Sequence, residues 1–291
     1  NMKKKITVPH IIITIVLILM ALLCLYPMWY TFICSISDRA YVEGGRVWFL
    51  PRGLNLASYQ RILKDDTFFS SFFVSVKRVV VGCAINLLLL VLTAYPLCLP
   101  QRRFPAGKYL KWFFMANMLF SGGMIPAYVL MRQYGLFDSF WSLILPGAVP
   151  LWNMILMINF FRNVPYELNE SATMDGANPW QVLFRIYVPL SVPSLACLLL
   201  FQFVGHWNSY FDGLIYINDT AKQPLQTYIY QLSVRIDFST MRTDEILTLL
   251  QTSDKTLQSA KVFVAMIPIL AVYPFIQKYF TVGMTLGAVK G

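Results

Sequence analysis

Charged side chains are scarce in this 291-residue sequence: they make up 13% of its residues, about half of the proportion typical of soluble domains. Hydrophobic residues account for 57%, including 22 Phe, 16 Tyr and 7 Trp. A chain with so little charge cannot cover its surface with solvated groups, so much of that surface must lie in lipid. The sequence is therefore predicted to be an integral membrane protein.

Histidine and cysteine are also rare, and common catalytic motifs are absent. His10 and His206 are far apart and form no ligand set. The five cysteines lie in or beside apolar runs without metal-binding spacing, so we interpret them as small apolar residues. Neither a Gly-x-x-x-x-Gly-Lys-Ser/Thr phosphate loop nor a Gly-x-Ser-x-Gly motif occurs. The chain is predicted not to be an enzyme and to bind no cofactor itself.

Six apolar spans are each long enough to cross about 30 Å of hydrocarbon. They cover approximately residues 11–33, 69–99, 111–131, 141–161, 188–215 and 260–284. The predicted fold class is an all-α integral membrane protein, a bundle of six transmembrane helices in a single domain, 1–291.

Two of the spans contain residues that break helices. Ser121-Gly122-Gly123 and Pro126 interrupt the third span, and Pro146 and Pro150 interrupt the fourth. Broken helices are tolerated at membrane depth where the freed backbone groups are buried or face a water-filled cavity. A kink that only helps packing is the alternative interpretation.

Positive charge predicts the orientation of the chain. The net charge of +10 is compatible with nucleic-acid binding, but lysine and arginine cluster in short loops, as expected of cytoplasmic loops. One cluster is Lys3-Lys4-Lys5, and another follows the second span at 102–111. Both termini are therefore predicted to be cytoplasmic, with no nucleic-acid partner.

Two longer segments, 37–67 and 218–258, are predicted to lie on the opposite side of the membrane. Both mix apolar and polar residues at roughly helical spacing, which indicates folded surface segments. Pro224 suits the first position of a helix, and Thr243 followed by Asp244 and Glu245 is a second helix-start signal.

A polar segment at 165–189, between the fourth and fifth spans, is predicted to form two short helices on the cytoplasmic side. Pro165 suits the start of the first helix, and Gly176 is expected to adopt the left-handed conformation that closes it. Asn178 and Gln181 then form a variant of the capping box around Pro179.

The second short helix is predicted to be amphipathic and to end at Pro189. Its apolar residues recur at i, i+3, i+4 and i+7 and are expected to share one face: Trp180, Leu183, Phe184 and Tyr187. Such an element can fill a groove on a partner. A helix lying on lipid is less favoured, because the acidic residues Glu167, Glu170 and Asp175 oppose a negative leaflet.

The same segment resembles the EAA motif of ABC-importer permeases. Glu170-Ser171-Ala172, then Asp175-Gly176-Ala177, then Ile186 and Pro189 follow the motif, with Ser171 replacing its second alanine. "HWNSYFDGLIYIND" and "YPFIQKYFTVGMTLGAVKG" are similar to the carbohydrate uptake type 1 family, in its MalG-like and LplC-like group. The resemblance covers nearly the whole chain and implies the MetI-like permease fold.

The resemblance also implies partners and a location. It implies a multi-pass subunit of the bacterial inner membrane that pairs with a second, different permease and an ATPase dimer, which binds ATP and Mg²⁺. A periplasmic or lipid-anchored solute-binding protein is expected to deliver the substrate. By this resemblance, the two short helices are the coupling helices that dock on the ATPase. The residues expected to couple the permease to the ATPase are Glu170, Ala172, Asp175, Gly176, Ala177, Trp180, Phe184 and Pro189.

Polar and aromatic residues in the outer part of the fifth span are predicted to line a substrate path, because polar groups at membrane depth normally face a cavity or a partner. They are His206, Trp207, Asn208, Tyr210 and Asp212. Helix–helix hydrogen bonding is the alternative. Lys77 and Arg78 either extend to the membrane interface or face the path, where they would favour an acidic sugar such as an alginate oligosaccharide.

Two other function classes remain open at this stage. A secondary transporter driven by an ion gradient needs a carboxylate within the membrane, and Asp212 is the one candidate near a span. A membrane scaffold without transport activity is the other. Uptake of labelled sugar into vesicles with and without ATP separates all three.

Overall fold

The computed structural model of the protein describes residues 8–234 and 255–288, which contain helices, turns and loops and no strand. The predicted helix start at Thr243 lies outside these ranges. The α-helices are α1 Val8–Ser35, α2 Arg39–Glu43, α3 Ala57–Ile62, α4 Asp66–Cys98, α5 Gly107–Leu119, α6 Met124–Gln133, α7 Leu151–Arg162, α8 Tyr166–Met174, α9 Pro179–Val182, α10 Val188–Leu190, α11 Val192–Asn208, α12 Phe211–Tyr216, α13 Leu225–Val234 and α14 Lys255–Ala288.

Three of these helices, α1, α4 and α14, are long and apolar enough to cross a membrane unbroken. The other predicted spans are bent pairs of shorter segments. Helices α5 and α6 meet at 112°, the turns at Phe140–Gly147 meet α7 at 49°, and Pro179–Leu190 meets α11 at 81°. Counting each pair once gives six spans, at the positions predicted from sequence.

The breaks follow from the residues that were expected to cause them. Gly123, between α5 and α6, has φ +87°, a backbone conformation that glycine adopts at no cost. Pro150 is extended just before α7. The fifth span departs from prediction: α11 ends at Asn208, and a further break at Ser209 and Tyr210 precedes α12.

The chain divides into two compact units. The first comprises the described part of Asn1–Asp66 and Ile229–Ile267. Its segment 37–67 is folded, as predicted: the Trp29 Nε1–H donates to the Phe49 carbonyl at 2.9 Å, and the Lys261 ammonium lies 2.6 Å from the Asp65 carboxylate. Most of α1 lies outside this unit's core, since its large apolar residues from Ile11 to Leu23 are exposed.

The second unit comprises the described part of Thr67–Tyr228 and Pro268–Gly291. Its main apolar core joins α4, α7 and α11 to the segment that was predicted to be the coupling helices. Leu90 and Ala94 of α4, Met157 of α7 and Leu198 of α11 are completely buried there. The predicted path residues and coupling residues therefore belong to one packed unit.

Candidate functional site

A buried ion pair joins α4 to the break in the fifth span. The Arg78 Nη1 donates to Asp212 Oδ1 at 3.0 Å, and Nη2 pairs with Oδ2. The Arg78 side chain is 4% exposed and that of Asp212 23%. Arg78 also donates to the Ser209 carbonyl at 3.3 Å, one of the backbone groups freed by the break. Asp212 thus neutralises the buried charge of Arg78, and Arg78 supplies a hydrogen bond to the Ser209 carbonyl at the break.

Asp212 is held in place from its own side as well. Its Oδ1 accepts hydrogen bonds from Ser209 Oγ at 3.0 Å and from the Gly213 N–H at 2.9 Å. These bonds fix the orientation of the carboxylate toward Arg78.

A second group of polar contacts lies two turns further along α4, around Asn86. Asn86 Nδ2 donates to the Gly147 carbonyl at 2.9 Å, at the break before α7. Asn86 Oδ1 lies 3.1 Å from His206 Nε2, and because an amide oxygen only accepts, the proton of this bond is on Nε2. Gly82 makes the contact possible, since a Cβ there would lie 2.6 Å from His206 Nε2. The broken fourth and fifth spans are therefore tied to the same face of α4.

Helical spacing explains how these residues converge. Arg78, Gly82 and Asn86 follow one another at i, i+4 and i+8 on α4, and Gln202 and His206 at i and i+4 on α11. All of these residues except Gly82 line a cavity of about 370 Å³. Its lining consists of Arg78, Asn86, Ser142, Leu143, Pro146, Gly147, Pro150, Asn153, Phe201, Gln202, Gly205, His206, Ser209, Asp212 and Tyr216.

Gln202 is one of the polar residues of this cavity that sequence reasoning missed, together with Asn86 and Asn153. Gln202 is 5% exposed, and neither its amide oxygen nor its amide nitrogen has a hydrogen-bond partner among the described residues. A buried amide without partners is costly unless something else satisfies it. The signal was present in the sequence, because Gln202 is a single polar residue within the run LLLFQFV.

Several predicted path residues lie outside the cavity lining. Trp207 is 2% exposed, stacked on Phe203 at 6.4 Å and edge-on to Phe72 at 5.8 Å, so it packs the interior. Asn208 and Tyr210 are exposed and do not line the cavity. Their role in a path stays a prediction.

The two neighbouring cations, Lys77 and Arg78, lie in different environments. Successive residues on a helix point about 100° apart, so Lys77 is exposed while Arg78 is buried. The Lys77 ammonium lies 4.5 Å from the centre of the Phe140 ring. Arg78 lines the cavity, where it is paired with Asp212, instead of extending to the membrane interface.

The predicted coupling segment is a helical hairpin formed by α8, α9, a π-helical turn at Leu183–Tyr187 and α10. Gly176 has φ +82° and the capping box between Asn178 and Gln181 is complete, as predicted. Pro165 precedes α8 as its N-cap instead of lying in its first turn, and Pro189 lies in α10, which ends one residue later at Leu190.

The hairpin has a buried anchor and an exposed face. Tyr187 is 2% exposed, accepts a hydrogen bond from Asn169 at 3.3 Å, and meets Tyr95 and Phe161 edge-on at 5.1 and 5.5 Å. Ala172 and Ala177 pack against the same core. These contacts attach the hairpin rigidly to α4 and α7.

Residues on the exposed face combine acidic and apolar groups. Trp180 and Phe184 stack at 6.2 Å and are 59% and 48% exposed. Glu170 on α8 and Asp175 at its end are also exposed. Of the four residues expected on one face, Leu183 and Tyr187 are instead buried, so the prediction of a single shared face is wrong.

Asp138 holds the loop after α12 through hydrogen bonds to its backbone. It has φ 52°, its N–H donates to the Tyr216 carbonyl at 3.0 Å, and its carboxylate accepts from the backbone N–H groups of Asn218 and Asp219 at 2.6 and 3.0 Å. The N–H groups of Asp219 and Asn218 lower the pKa of Asp138 below its usual value of about 3.9.

This shift predicts a pH effect on stability. Because the folded pKa is depressed, ionised Asp138 stabilises the fold above the unfolded pKa, and this contribution disappears as pH falls through the folded pKa. Asp138→Asn keeps an acceptor and tolerates the left-handed backbone, but cannot titrate. Thermal denaturation in detergent should show a smaller loss of stability between about pH 5 and pH 3 in Asp138→Asn than in the unmodified protein. Glu167→Gln, at an exposed carboxylate, is the control, and identical pH profiles for Asp138→Asn and the unmodified protein would contradict the assignment.

Comparison with known proteins places this architecture in a family. Residues 6–286 match the family described as "Binding-protein-dependent transport system inner membrane component". The polygalacturonan/rhamnogalacturonan transport system permease YtcP of Bacillus subtilis is 38% identical over 94% of this chain and 96% of its own. Protein LplC of the same organism is 38% identical over 91% of this chain and 89% of its own.

A solved structure gives the same result. A bacterial ABC transporter chain involved in the import of the acidic polysaccharide alginate superimposes with a TM-score of 0.84 at 33% identity, covering 96% of this chain and 99% of the other. The predicted all-α membrane permease fold and the resemblance to the ABC carbohydrate uptake group are confirmed. The alternative interpretation, a secondary transporter driven by an ion gradient, is wrong. Its candidate ion-binding residue, Asp212, forms an ion pair with Arg78.

The match over nearly the whole chain also decides between transport and catalysis. Members of the family are inner-membrane components of transport systems that depend on a binding protein, which confirms the prediction of a multi-pass transport subunit and not an enzyme. This chain belongs to the family of binding-protein-dependent transport system inner membrane components, the permeases of ABC importers.

Proposed function

We propose that this permease conducts an oligo- or polysaccharide, with an acidic, uronate-containing chain as its substrate class. The observation that carries the proposal is the cavity between broken helices, where the unpaired Gln202 amide lies beside His206 and Asn86. A sugar hydroxyl both donates and accepts hydrogen bonds, so it matches an amide that needs a donor and an acceptor. The rigid polar wall and the apolar faces of Leu143 and Phe201 suit the two kinds of surface on a sugar ring.

The acidic class is supported by the relatives. A 38% identical relative is named for polygalacturonan and rhamnogalacturonan, and a 33% identical structure for alginate import. Within the cavity, Arg78 is neutralised by Asp212, and Lys77 lies over Phe140 outside the lining. Recognition of the carboxylate is therefore assigned to hydrogen-bond donors and to the delivering binding protein, without a free cation in the cavity.

The remaining partners follow from the family and from the exposed faces. We propose that a second, different permease covers part of the apolar surface, since this chain contains one coupling segment and leaves α1 exposed. An ATPase dimer, which binds ATP and Mg²⁺, serves both permeases, and one of its subunits docks on this hairpin at Trp180 and Phe184. A solute-binding protein delivers substrate on the opposite side, and both termini are cytoplasmic. Closure of the ATPases moves the hairpin as a rigid body and switches access across the membrane.

Reconstituted uptake tests this function. The chain, a second permease and an ATPase are co-expressed, purified and placed in vesicles with the cognate binding protein. Labelled galacturonan or alginate oligosaccharide should accumulate only with ATP, and a neutral maltooligosaccharide should compete poorly. Uptake driven by an ion gradient without ATP, or no preference for the acidic chain, would contradict the proposal.

Gln202→Leu should separate stability from transport. Removing an unsatisfied buried amide should raise thermal stability, by about 1–3 kcal/mol at most, because no hydrogen bond is lost. Uptake should fall about tenfold, since each missing hydrogen bond to a sugar is worth roughly 1 kcal/mol or more. Leu198→Met, one turn earlier and in the buried core, is the control and should leave uptake unchanged. A stabilised variant with normal uptake would remove Gln202 from the path.

A further inference from the structure

Two adjoining hollows lie along α5, on the side of the membrane where the coupling hairpin lies. The first, of about 240 Å³, is at the start of α5, and the second, of about 190 Å³, lies between α5 and α7. Lys111 and Met115 line both, so the hollows form one groove. The first is lined by Leu99, Gln101, Phe104, Gly107, Lys108, Lys111, Trp112 and Met115, and the second by Lys111, Phe114, Met115, Met118, Leu151, Met154, Ile155, Ile158, Asn159 and Arg162.

The groove has a cationic mouth. Lys108, Lys111 and Arg162 line it, and neither lining contains an acidic side chain. Within residues 8–234 and 255–274, none of these three cations forms an ion pair. Arg162 is the last residue of α7, and α8 of the hairpin begins four residues later, so the mouth lies at the membrane surface. Like charges converging on one opening favour a ligand that carries negative charge.

The groove continues from this mouth into an apolar channel. Phe114, Met118, Leu151 and Ile155 line its deeper part, and methionine adapts readily to flexible chains. Trp112 lies near the mouth, as tryptophan commonly does at a membrane interface. A ligand that fits must therefore have an anionic head and a long apolar tail.

The groove also faces away from the proposed sugar path. Leu151, Ile155, Ile158 and Arg162 recur at i, i+4, i+7 and i+11 and share one face of α7. Asn153, which lines the polar cavity, is two residues from Leu151 and Ile155 and lies roughly opposite, at about 200° around the helix from Leu151. A sugar in the cavity cannot reach this groove without crossing α7.

We propose that this groove binds one anionic phospholipid from the leaflet on the hairpin side. Its phosphate and charged headgroup contact Lys108, Lys111 and Arg162, and one acyl chain lies between α5 and α7. Basic openings between spanning helices are a known form of acidic-lipid site. Because α7 continues directly into the hairpin, the lipid stabilises the helix end from which the hairpin extends.

Lipid retention measured by native mass spectrometry tests the site without depending on the sugar. The complete complex, purified in mild detergent, is incubated with equimolar phosphatidylglycerol and phosphatidylethanolamine. The unmodified complex should retain about tenfold more phosphatidylglycerol than phosphatidylethanolamine, as expected for two or more cations near one anionic headgroup. Equal retention of the two lipids would overturn the proposal.

Variants distinguish this site from lipid bound elsewhere. Lys111→Gln with Arg162→Gln should lose the preference, Lys111→Arg should keep it, and Ile155→Trp should lose it by filling the channel while all cations remain. Arg132→Gln, which removes an exposed cation at the other end of the third span, is the matched control and should behave as unmodified protein. A photoreactive residue at Met118 that labels the second permease instead of lipid would also overturn the proposal.

Discussion

Asp212→Asn is expected to lower the free energy of unfolding by about 3–5 kcal/mol, because it leaves the Arg78 guanidinium buried without a counter-charge. Arg78 is 3% exposed, its Nε already has no hydrogen-bond partner, and the carboxylate is its only charge partner among the described residues. The amide that replaces the carboxylate would still accept one hydrogen bond, but would carry no charge. Thermal denaturation of the purified protein and its yield in the membrane measure the loss.

A double variant decides what the pair does. Arg78→Met with Asp212→Leu removes both charges and should restore much of the stability, since well-packed apolar residues often replace a buried ion pair without loss. If stability returns while uptake remains absent, the pair has a role in transport beyond folding. Lys77→Gln is the matched control: this exposed neighbour loses one contact with Phe140, worth about 0.5–1 kcal/mol. A stable Asp212→Asn protein would contradict the assigned ion pair.

The membrane fold and the hairpin could largely be predicted because their signals are local. Apolar length identifies a span, Gly123 and Pro150 mark breaks, and Gly176 and Asn178 mark the turn and the cap of the hairpin. Each of these features depends on residues within a few positions of one another. Interactions at that range depend less on the rest of the fold than contacts between distant segments do.

One error in the hairpin has an identifiable cause. A regular period of 3.6 places Trp180, Leu183, Phe184 and Tyr187 together, but Leu183–Tyr187 forms a π-helical turn, which changes the spacing. Pro189 accounts for that turn: its ring would clash with the carbonyl of Arg185, four residues earlier, so the backbone bulges there. The helix then ends at Leu190, one residue after this proline, before the 81° bend into α11.

The cavity could not be assembled from sequence because its parts are distant along the chain. Arg78 and Asp212 are 134 residues apart, and Asn86 and His206 are 120 apart. Which of Lys77 and Arg78 faces inward depends on how α4 packs, and composition does not reveal it. A polar residue isolated in an apolar run, such as Gln202, is the local signal that was available for this cavity.

Gly176→Val should weaken the hold of the ATPase on the hairpin. Gly176 has φ +82°, and a Cβ built there meets no atom within 4 Å, so the cost is backbone strain and not a clash. A β-branched residue in this conformation should cost about 1–3 kcal/mol, which the chain relieves by changing the angle between α8 and α9. That change would displace Trp180 and Phe184 from the proposed docking surface. Pull-down of the ATPase from co-expressed membranes should fall several-fold, while membrane insertion is normal because no spanning helix changes.

Matched variants distinguish the effect of the turn at Gly176 from the effect of the exposed side chains of the hairpin. Gly176→Asn should bind the ATPase nearly as well as the unmodified protein, since asparagine tolerates the left-handed conformation better than other side chains. Glu170→Ala leaves the turn intact but removes an exposed acceptor for cationic groups, so it should weaken ATPase binding without changing hairpin geometry. Ser171→Ala, at the exposed neighbour that bonds only the Glu167 carbonyl, is the control and should have little effect. Normal ATPase binding together with normal substrate-stimulated hydrolysis in Gly176→Val would show that the hairpin does not transmit the ATPase motion.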